Sequence, residues 1–325
     1  MLEHGGKLTQ AARRYGIAVE NWLDLSTGIN PHGWPVPALP NEVWRRLPED
    51  NDGLLDAARA CYGASHLLAV SGSQAAIQVL PTLRADCLVG MLHPTYSEHA
   101  HAWAKQHRVA ALNAAGIETT LDELDVLLLC NPNNPSGERF APDTLLTWRQ
   151  ELAARGGWLV VDEAFIDAEP QLSIARHTGA EGLIVLRSLG KFFGLAGARV
   201  GFVAAWPALL AQMQEALGPW AINGPARAIA RLALQDSVWQ QHTRERLQGD
   251  SARLAALLTR HGLAPAGGSS LFQWIRTDRA AGLHEVLARQ GILTRLFDAP
   301  ASLRFGLPGA EGEWNRLEIA LGKLA

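Results

Sequence analysis

Ser188-Leu-Gly-Lys191, with Arg199 eight residues further on, is the stretch that decides the fold of this 325-residue chain. Three polar motifs precede it: Ser71-Gly-Ser-Gln74, Asn131-Pro-Asn-Asn-Pro-Ser-Gly137 and Val160-Val-Asp-Glu-Ala-Phe165. A lysine amine can form a Schiff base with an aldehyde, and an aspartate can keep a pyridine nitrogen protonated. Together with a serine and arginine cluster for a phosphate, these residues predict a site for pyridoxal 5′-phosphate (PLP).

The composition is that of an ordinary soluble globular protein, with 48% hydrophobic and 19% charged residues. Its length is typical of about two domains. The net charge of -3 gives no electrostatic reason to expect nucleic acid or an anionic membrane as a partner. Apolar stretches such as residues 126–130 are far too short to span a bilayer, and residues 1–6 do not open a signal peptide. We therefore expect a cytoplasmic protein.

The sequence lacks the patterns that are typical of several other kinds of site. The three cysteines are widely spaced and include no Cys-x-x-Cys pair, so neither a disulfide framework nor a zinc site is indicated. No histidine pair at i, i+4 with a nearby carboxylate occurs among His93, His99, His101 and His107. Gly-x-Ser-x-Gly and Gly-Lys-Ser/Thr are also absent, which excludes a serine hydrolase and a phosphate-loop enzyme of the common types. No metal is expected.

Short apolar runs alternate with amphipathic helical patterns over much of the chain. Buried strands are predicted at 67–70, 87–92, 109–112, 126–130, 158–161 and 183–187. Helical patterns between them include 74–83, 98–106 and 143–154. The alternation predicts an α/β fold with a mostly parallel sheet between helices, followed by an antiparallel strand that begins at Arg199.

The pattern changes after Pro207. Long helices are predicted at 207–217, 223–235 and 237–261, and then a compact alternation at 271–276, 280–290, 292–296, 302–307 and 311–323. This end of the chain is typical of a smaller α+β domain. We predict that residues 1–34 join this small domain, that residues 35–222 form the large PLP-binding domain, and that residues 223–325 complete the small one. The proline-rich segment 31–48 is expected to be extended with at most a short helix.

Ligands of such sheets gather at the carboxyl ends of the strands, and the candidate residues follow predicted strands. Gly72, Ser73 and Gln74 open a helix whose free N–H groups can hold a phosphate. Ser188 and Arg199 would add two further phosphate contacts. A simple N-cap serine is the alternative interpretation of Ser73 taken alone.

The remaining candidates would hold the cofactor ring. Asp162 would be the ionised partner of the ring nitrogen, Asn134 would donate its amide to the phenolic oxygen, and Tyr96 would stack on the ring face. Alternatively, Asp162 caps a loop, Asn134 belongs to a turn cluster, and Tyr96 is a core aromatic. Each of these three residues follows a predicted strand, and this shared placement favours the cofactor hypothesis.

The chain resembles fold-type-I PLP enzymes of the aspartate aminotransferase superfamily, in the histidinol-phosphate aminotransferase-like branch. Within that branch it is most similar to the L-threonine-O-3-phosphate decarboxylase family of cobalamin biosynthesis. The resemblance covers essentially the whole chain and is carried by His4-Gly-Gly6, Asp24-Leu-Ser-Thr-Gly-Ile-Asn-Pro31, Asp162-Glu-Ala-Phe-Ile-Asp167, Leu186-Arg-Ser-Leu-Gly-Lys191, Pro219-Trp-Ala-Ile-Asn223 and residues 233–241.

The resemblance implies a PLP-dependent carboxy-lyase that acts on a phosphorylated amino acid and works as a homodimer. Lys191 would be the catalytic Schiff-base lysine. The residues that match positions contacting the substrate are His4, Gly5, Gly28, Asn134, Arg295 and Arg304. Two arginines and a histidine suit a small substrate that carries a carboxylate and a phosphate.

Three departures from the family pattern accompany this resemblance. Phe165 stands where aminotransferases often have a tyrosine, and Gly28 replaces an asparagine that contacts substrate in the decarboxylases. Leu47 replaces the tyrosine that commonly reaches the neighbouring subunit's cofactor phosphate. Two other functions stay open at this point: a histidinol-phosphate-type aminotransferase, which shares every cofactor residue, and a non-catalytic PLP-binding scaffold or regulator.

Overall fold

The computed structural model describes residues 4–324. The strands are β1 (Leu23–Asp24), β2 (Leu67–Val70), β3 (Leu88–Leu92), β4 (Arg108–Leu112), β5 (Val126–Cys130), β6 (Trp158–Asp162), β7 (Leu183–Ser188), β8 (Gly201–Ala204), β9 (Gly267–Ser269), β10 (Phe272–Arg276), β11 (Ile292–Leu293), β12 (Arg295–Phe297) and β13 (Ser302–Gly306). The helices are α1 (Leu8–Tyr15), α2 (Glu42–Arg45), α3 (Leu54–Tyr62), α4 (Ser73–Val79), α5 (Ser97–Trp103), α6 (Ile117–Thr120), α7 (Pro142–Ala153), α8 (Pro207–Leu217), α9 (Gly224–Gln235), α10 (Ser237–Arg260), α11 (Ala280–Arg289) and α12 (Glu311–Gly322).

A seven-stranded sheet in the order β2-β8-β7-β6-β5-β3-β4 forms the centre of the molecule. The strands from β7 to β4 are parallel to one another, and β8 runs antiparallel to both of its neighbours. The carboxyl ends of β5, β6 and β7 therefore lie side by side, with Cys130 opposite Asp162 and Asp162 opposite Leu186. The predicted α/β architecture with a mostly parallel sheet is confirmed.

Both faces of the central sheet are buried, as near-continuous apolar strands require. Residues such as Leu127 and Leu159 point to one face and join a core with α3, α7, α9 and α10. Their neighbours Val126 and Val160 point to the other face and pack with α4, α5 and α8. The helices thus cover the sheet on both sides and leave the strand ends open to a ligand.

A second, four-stranded sheet in the order β12-β13-β10-β9 lies in the C-terminal part of the chain. The N-terminal strand β1 joins this part, because it pairs in parallel with β11, with Leu23 opposite Ile292. The backbone N–H of Leu25 also donates to the carbonyl of Leu293 at 2.8 Å. The division into domains at 1–34, 35–222 and 223–325 stays a prediction.

Two predicted strands differ from the structure in ways that matter for the site. The strand predicted from Arg199 begins at Gly201, because Arg199 is in the left-handed region with φ 54°. The single strand predicted at 292–296 is two strands, β11 and β12, which pair with β1 and β13 respectively. Thr294 separates them and its hydroxyl lies 2.8 Å from Nδ1 of His284. Within residues 4–324, we find no helix with the length and apolar character needed to cross a membrane.

Candidate active site

A cavity of about 390 Å³ lies at the carboxyl ends of β5, β6 and β7. It brings together eight of the predicted cofactor residues: Ser73, Gln74, Tyr96, Asn134, Asp162, Ser188, Lys191 and Arg199. A wider cleft of about 810 Å³ adjoins it, and this cleft adds three predicted substrate residues: Gly5, Arg295 and Arg304. His4 lines both spaces. Residues that are far apart in the sequence thus meet around Lys191.

Lys191 follows β7 and projects into the cavity from a tightly held backbone. Its carbonyl accepts hydrogen bonds from the N–H groups of Asn30 and Gly194, at 3.0 and 3.1 Å. Its Nζ lies 5.4 Å from the centre of the Phe165 ring. Burial, and then the positive charge of Arg304, lower the pKa of Lys191 to about 8. Much more of this amine is therefore neutral, and hence nucleophilic, near neutral pH than in an ordinary lysine.

Asp162 ends β6 and is paired with a buried histidine. Nε2 of His99 lies 2.8 Å from Oδ2 of Asp162, and the N–H of Ala164 donates to Oδ1 at 3.0 Å. Burial opposes the charge of His99, but its hydrogen bond to Asp162 raises the pKa of His99 to about 10. A protonated imidazole places a positive charge directly against the Asp162 side chain. Although donor atoms of His99, Cys130 and Asp162 lie within 4.8 Å of one another, a protonated imidazole offers no lone pair to a metal.

Sequence reasoning missed His99. The histidines were considered only as metal ligands at i, i+4 spacing, whereas the partner of His99 is 63 residues away. The one local signal is that His99 follows Tyr96 by three residues at the start of α5, which puts both side chains on one turn. Tyr96 and His99 indeed meet edge to face, with ring centres 5.9 Å apart.

The residues predicted to bind the cofactor phosphate lie at the start of α4 and around Arg199. Gly72 has φ 72°, a conformation that favours glycine, and a Cβ placed there would lie 2.5 Å from Nη2 of Arg199. The absence of a side chain leaves a cradle beside a guanidinium and the N–H groups of a helix start. Ser188 borders the same space, and its Oγ accepts from the N–H of Gly190 at 3.2 Å.

The Asn131–Gly137 loop combines a structural role with a role at the cavity. Asn131 exchanges two hydrogen bonds with the backbone of Phe140, at 2.9 and 3.2 Å. Asn133 donates to the carbonyl of Pro94 at 2.9 Å and accepts from the hydroxyl of Thr95 at 2.7 Å. These two amides hold the loop in place. The third asparagine of the loop, at position 134, lines both the cavity and the wider cleft.

Arg295 and Arg304 face each other across the β12–β13 pair. Arg304 is 6% exposed, and it donates one hydrogen bond to the side chain of Asn134 and another to the carbonyl of Ser26 at 2.8 Å. Burial, and then the nearby Arg295, lower the pKa of Arg304 to about 10. Like charges placed opposite each other on a sheet are unfavourable. An anion bound between them would relieve that cost.

The residues present fit PLP. The cradle beside Gly72 and Arg199 suits its phosphate, and the Asp162 carboxylate suits its ring nitrogen. Tyr96 borders the space between these two ends, and burial, followed by the negative charge of Glu98, raises its pKa to about 12. Its phenol is therefore neutral and can serve as a stacking surface.

Comparison with known proteins places the chain in a family. The model for aminotransferase class I and II matches residues 22–324. The chain belongs to the aminotransferase class I and II family. Threonine-phosphate decarboxylase from Pseudomonas aeruginosa is 56% identical over 322 residues, which are 99% of this chain and 97% of that protein. Threonine-phosphate decarboxylase from a Sinorhizobium species is 44% identical over 329 residues, covering 99% and 98%. The resemblance found in the sequence is confirmed.

A solved member of the aminotransferase class I and II fold supports the architecture. Histidinol-phosphate aminotransferase from Sinorhizobium meliloti, solved in complex with pyridoxal-5′-phosphate, superposes with a TM-score of 0.84. The two chains are 19% identical, and the match covers 100% of this chain and 99% of that one. The predicted fold of type-I PLP enzymes is therefore confirmed.

Two of the three departures, Gly28 and Phe165, form one structural feature. A Cβ at Gly28 would lie 2.8 Å from Cε1 of Phe165 and 3.1 Å from Cδ1 of Phe272. The two phenylalanine rings meet edge to face, with centres 5.1 Å apart. Gly28, a predicted substrate residue, lines neither of the two spaces around Lys191. An asparagine at position 28 could not be accommodated while these rings keep their places.

A buried ion cluster joins two of the segments that carried the resemblance, Asp162–Asp167 and Leu186–Lys191. Arg187 donates to Glu163 at 2.8 Å and also pairs with Asp167. Glu163 also accepts from Ser173 at 2.6 Å and from the N–H of Ile174 at 2.9 Å. Against the effect of burial, the two carboxylates raise the pKa of Arg187. Because Glu163 follows Asp162 directly in the chain, this cluster fixes the strand end that presents Asp162.

Proposed function

We propose that this protein is a PLP-dependent decarboxylase that converts L-threonine O-3-phosphate and a proton into 1-amino-2-propanol O-phosphate and CO₂, a step of cobalamin biosynthesis. The observation that carries the proposal is the placement of Arg295 and Arg304 opposite each other at the edge of the cleft that contains Lys191. Two guanidinium groups suit a substrate with two anionic groups. The names of the relatives that are 56% and 44% identical support the same reaction.

The cofactor would be held at three places. Gly72, Ser73, Gln74, Ser188 and Arg199 would surround its phosphate, Asp162 with His99 would bind its ring nitrogen, and Lys191 would bond to its aldehyde. When bound, PLP supplies an aldehyde that takes up the substrate amine and a protonated ring that withdraws electrons from the reacting carbon. Asp162 contributes by keeping that ring charge in a site with little water.

The substrate would be held by groups on the other side of the cleft. Arg304 would bind the carboxylate, a role supported by the contact of its guanidinium with Asn134, which lines the same cavity as Lys191. Arg295 and His4 line the outer cleft and would meet the substrate phosphate. Holding both anionic ends fixes the direction of the bond between Cα and the carboxylate. Bound PLP would supply the electron withdrawal that lets this bond break, and the two arginines would favour decarboxylation by orienting the carboxylate.

Lys191 would also carry a proton in the reaction. Loss of CO₂ leaves a carbon that must take up one proton. Nζ of Lys191 would deliver that proton, a role supported by its pKa of about 8, which lies near neutral pH. Phe165, whose ring centre is 5.4 Å from Nζ, helps to exclude water from this step.

A homodimer is the proposed working form. Trp44, Leu47 and Trp220 are 68%, 65% and 60% exposed, which is unusual for large apolar side chains. The Trp220 segment lies beside the phosphate end of the site, because the hydroxyl of Ser71 donates to the carbonyl of Ala221. A second copy that covered these side chains would complete the mouth of the site. Light scattering that gives the mass of a single chain would contradict this assignment.

The cytoplasm is the proposed location. Cys61, Cys87 and Cys130 are all free. Free thiols suit a reducing compartment, and Cys87 and Cys130 pack as small apolar side chains in the core.

The function is tested by incubating the PLP-loaded protein with L-threonine O-3-phosphate and measuring CO₂ release and keto-acid formation side by side. We expect CO₂ and 1-amino-2-propanol O-phosphate, with no need for an amino-group acceptor. Histidinol phosphate has no carboxylate and should release no CO₂. Turnover of histidinol phosphate with 2-oxoglutarate, without CO₂ from threonine phosphate, would establish an aminotransferase instead. PLP binding without turnover of either substrate would indicate a scaffold or regulator.

A further inference from the structure

Glu98 is an unexpected carboxylate in a cavity that is otherwise suited to anions. It lines the same space as Lys191 and Arg199, and its side chain is 13% exposed. A negative charge near a site for phosphates raises the cost of binding them unless a nearby group compensates it. The groups that contact Glu98 therefore indicate its role.

Both oxygens of Glu98 are engaged. Oε1 lies 2.7 Å from Nε2 of His4, and Oε2 accepts from Nε2 of Gln74 at 2.7 Å. Gln78 adds a weaker contact to Oε2 at 3.4 Å. An acidic residue in the first turn of α5 also suits the positive end of that helix. The carboxylate nevertheless points across to α4 and to the N-terminal segment, so stabilisation of α5 alone does not account for these contacts.

The segment that carries His4 is fixed to the other side of the cleft. The N–H of Gly6 donates to the hydroxyl of Ser26 at 2.7 Å, and a Cβ at Gly5 would lie 2.3 Å from the Ser26 carbonyl oxygen. That same carbonyl accepts from Arg304 at 2.8 Å. The pair of His4 and Glu98 therefore bridges the mouth of the cleft, from the strand of the substrate arginine to the helix start that borders the cofactor phosphate.

We propose that Glu98 is a positioning residue that holds the His4 imidazole over the cleft, where it recognises the substrate phosphate. This role rests on the proposed function, because His4 meets a phosphate only if the substrate carries one. By holding Nε2, the carboxylate directs the other ring nitrogen of His4 away from itself and restricts a side chain that is 39% exposed. A side chain that is ordered in advance loses less entropy when the ligand binds.

Two effects of removing the carboxylate oppose each other. Loss of its negative charge would favour phosphate binding, whereas loss of the contact would release His4. The contact to His4 is a short, direct hydrogen bond to a charged group, whereas repulsion acts through the partly hydrated mouth of the cleft and is weakened there. The positioning effect should therefore prevail, and removal of Glu98 should weaken phosphate binding.

The test measures phosphate recognition in the PLP-loaded protein, with PLP in excess so that any change at Gln74 does not deplete the cofactor. Inorganic phosphate is titrated calorimetrically, and KM and kcat are measured for threonine phosphate and for threonine. Glu98→Ala should weaken phosphate binding and raise KM for threonine phosphate about tenfold, the loss expected for one charge-assisted hydrogen bond, while kcat changes little. Values for threonine should be unchanged. Glu98→Gln retains an oxygen acceptor and should lose less.

Two further variants make the result specific. Glu118→Gln removes an exposed acid from the first turn of α6 and should leave every value unchanged. His4→Ala should reproduce the effect of Glu98→Ala, and the double variant should be no worse than either single one.

The proposal is overturned if Glu98→Ala binds phosphate as tightly as the wild type or more tightly, or if the losses in the double variant add. Equal losses with threonine and threonine phosphate, or a wild-type protein that binds no phosphate, would overturn it as well. A wild type that binds phosphate but releases no CO₂ would instead contradict the decarboxylase function, and the titrations would still test Glu98.

Discussion

His99 and Asp162 form a buried pair in which Nε2 of the imidazole lies 2.8 Å from Oδ2 of the carboxylate. They are 1% and 4% exposed, so the contact is shielded from solvent and salt. Removing one partner of a buried ion pair leaves the other charge without compensation. His99 therefore supplies the positive charge that faces Asp162, the residue proposed to bind the ring nitrogen of the cofactor.

The first prediction follows from this pair. His99→Asn should lower kcat at least tenfold and weaken PLP binding, because Asp162 loses the positive charge of its partner. The broken buried pair should also lower the free energy of unfolding by about 3–5 kcal/mol. Asp162→Asn removes the charge itself and should lower kcat by orders of magnitude. The double variant should be no worse than Asp162→Asn. His66→Asn, at an exposed position, is the control. If His99→Asn and His66→Asn behaved alike, the pair would have no part in the chemistry.

The second prediction concerns the ionisation of Lys191. Only the neutral amine attacks an aldehyde, so the rate of PLP uptake by cofactor-free protein should rise with pH through about 8 rather than through 10.5. Stopped-flow absorbance gives this profile. Arg304→Ala removes a cation that lowers the pKa of Lys191, and should move the profile to higher pH. In Lys191→Ala, borohydride should fix no label. A label on Lys105 or Lys323 in the wild type would show that another lysine holds the cofactor.

The same ionisation links folding to pH in the cofactor-free protein. The pKa of Lys191 is lowered from 10.5 in an ordinary lysine to about 8 in the folded chain. Between these values the unfolded chain binds more protons, so the contribution of Lys191 to the free energy of unfolding rises with pH across this window. Below pH 8 the folded chain bears the full cost of the buried charge. Lys191→Met should abolish this part of the pH dependence in urea titrations.

The third prediction concerns recognition of the substrate carboxylate. Arg304→Ala should lower kcat/KM for threonine phosphate at least tens-fold, because removing one partner of a buried charge pair costs about 2–5 kcal/mol. Arg304→Lys keeps the charge but not the planar fork, and should recover only part of the loss. Arg260→Ala breaks an exposed pair with Glu318 and serves as the control. Retention of full activity in Arg304→Ala would assign the carboxylate to another group.

The fourth prediction concerns stability. Arg187→Met leaves Glu163 and Asp167 buried without their cation, and should lower the free energy of unfolding by about 3–5 kcal/mol. Arg253→Met breaks an exposed pair with Glu311 and should lower the free energy of unfolding much less, because solvent screens that pair. Urea denaturation of both variants checks the difference. Equal losses would mean that the buried cluster contributes no more than a surface pair.

The sequence predicts most of the central sheet because its signals are local. The apolar runs at 126–130 and 158–161 coincide with β5 and with all but the last residue of β6, and the polar residues after them meet because parallel strands end at one edge. The helices α1 and α3 were not predicted. In α1, Leu8, Ala11, Ala12 and Tyr15 do follow the i, i+3, i+4, i+7 spacing of an amphipathic helix and pack in one cluster, but the helix is only eight residues long.

Parts of the site that depend on distant partners could not be predicted. The pairing of His99 with Asp162, like the contact between Glu98 and His4, joins residues with no shared sequence pattern. The crowding of Gly28 depends on Phe272, which is remote in the sequence and adjacent in space. The roles assigned to the individual site residues stay predictions until the variants are measured.

The pairing of β1 with β11 sets the order in which a growing chain can complete the molecule. Leu23 cannot pair until Ile292 has been synthesised. The N-terminal strand therefore remains without its partner until almost the whole chain has been made. The residues that would hold the cofactor lie between Gly72 and Arg199 and can come together much earlier. We expect nascent chains that end before β11 to retain PLP but not to recognise the phosphorylated substrate, since Arg295 and Arg304 follow β11.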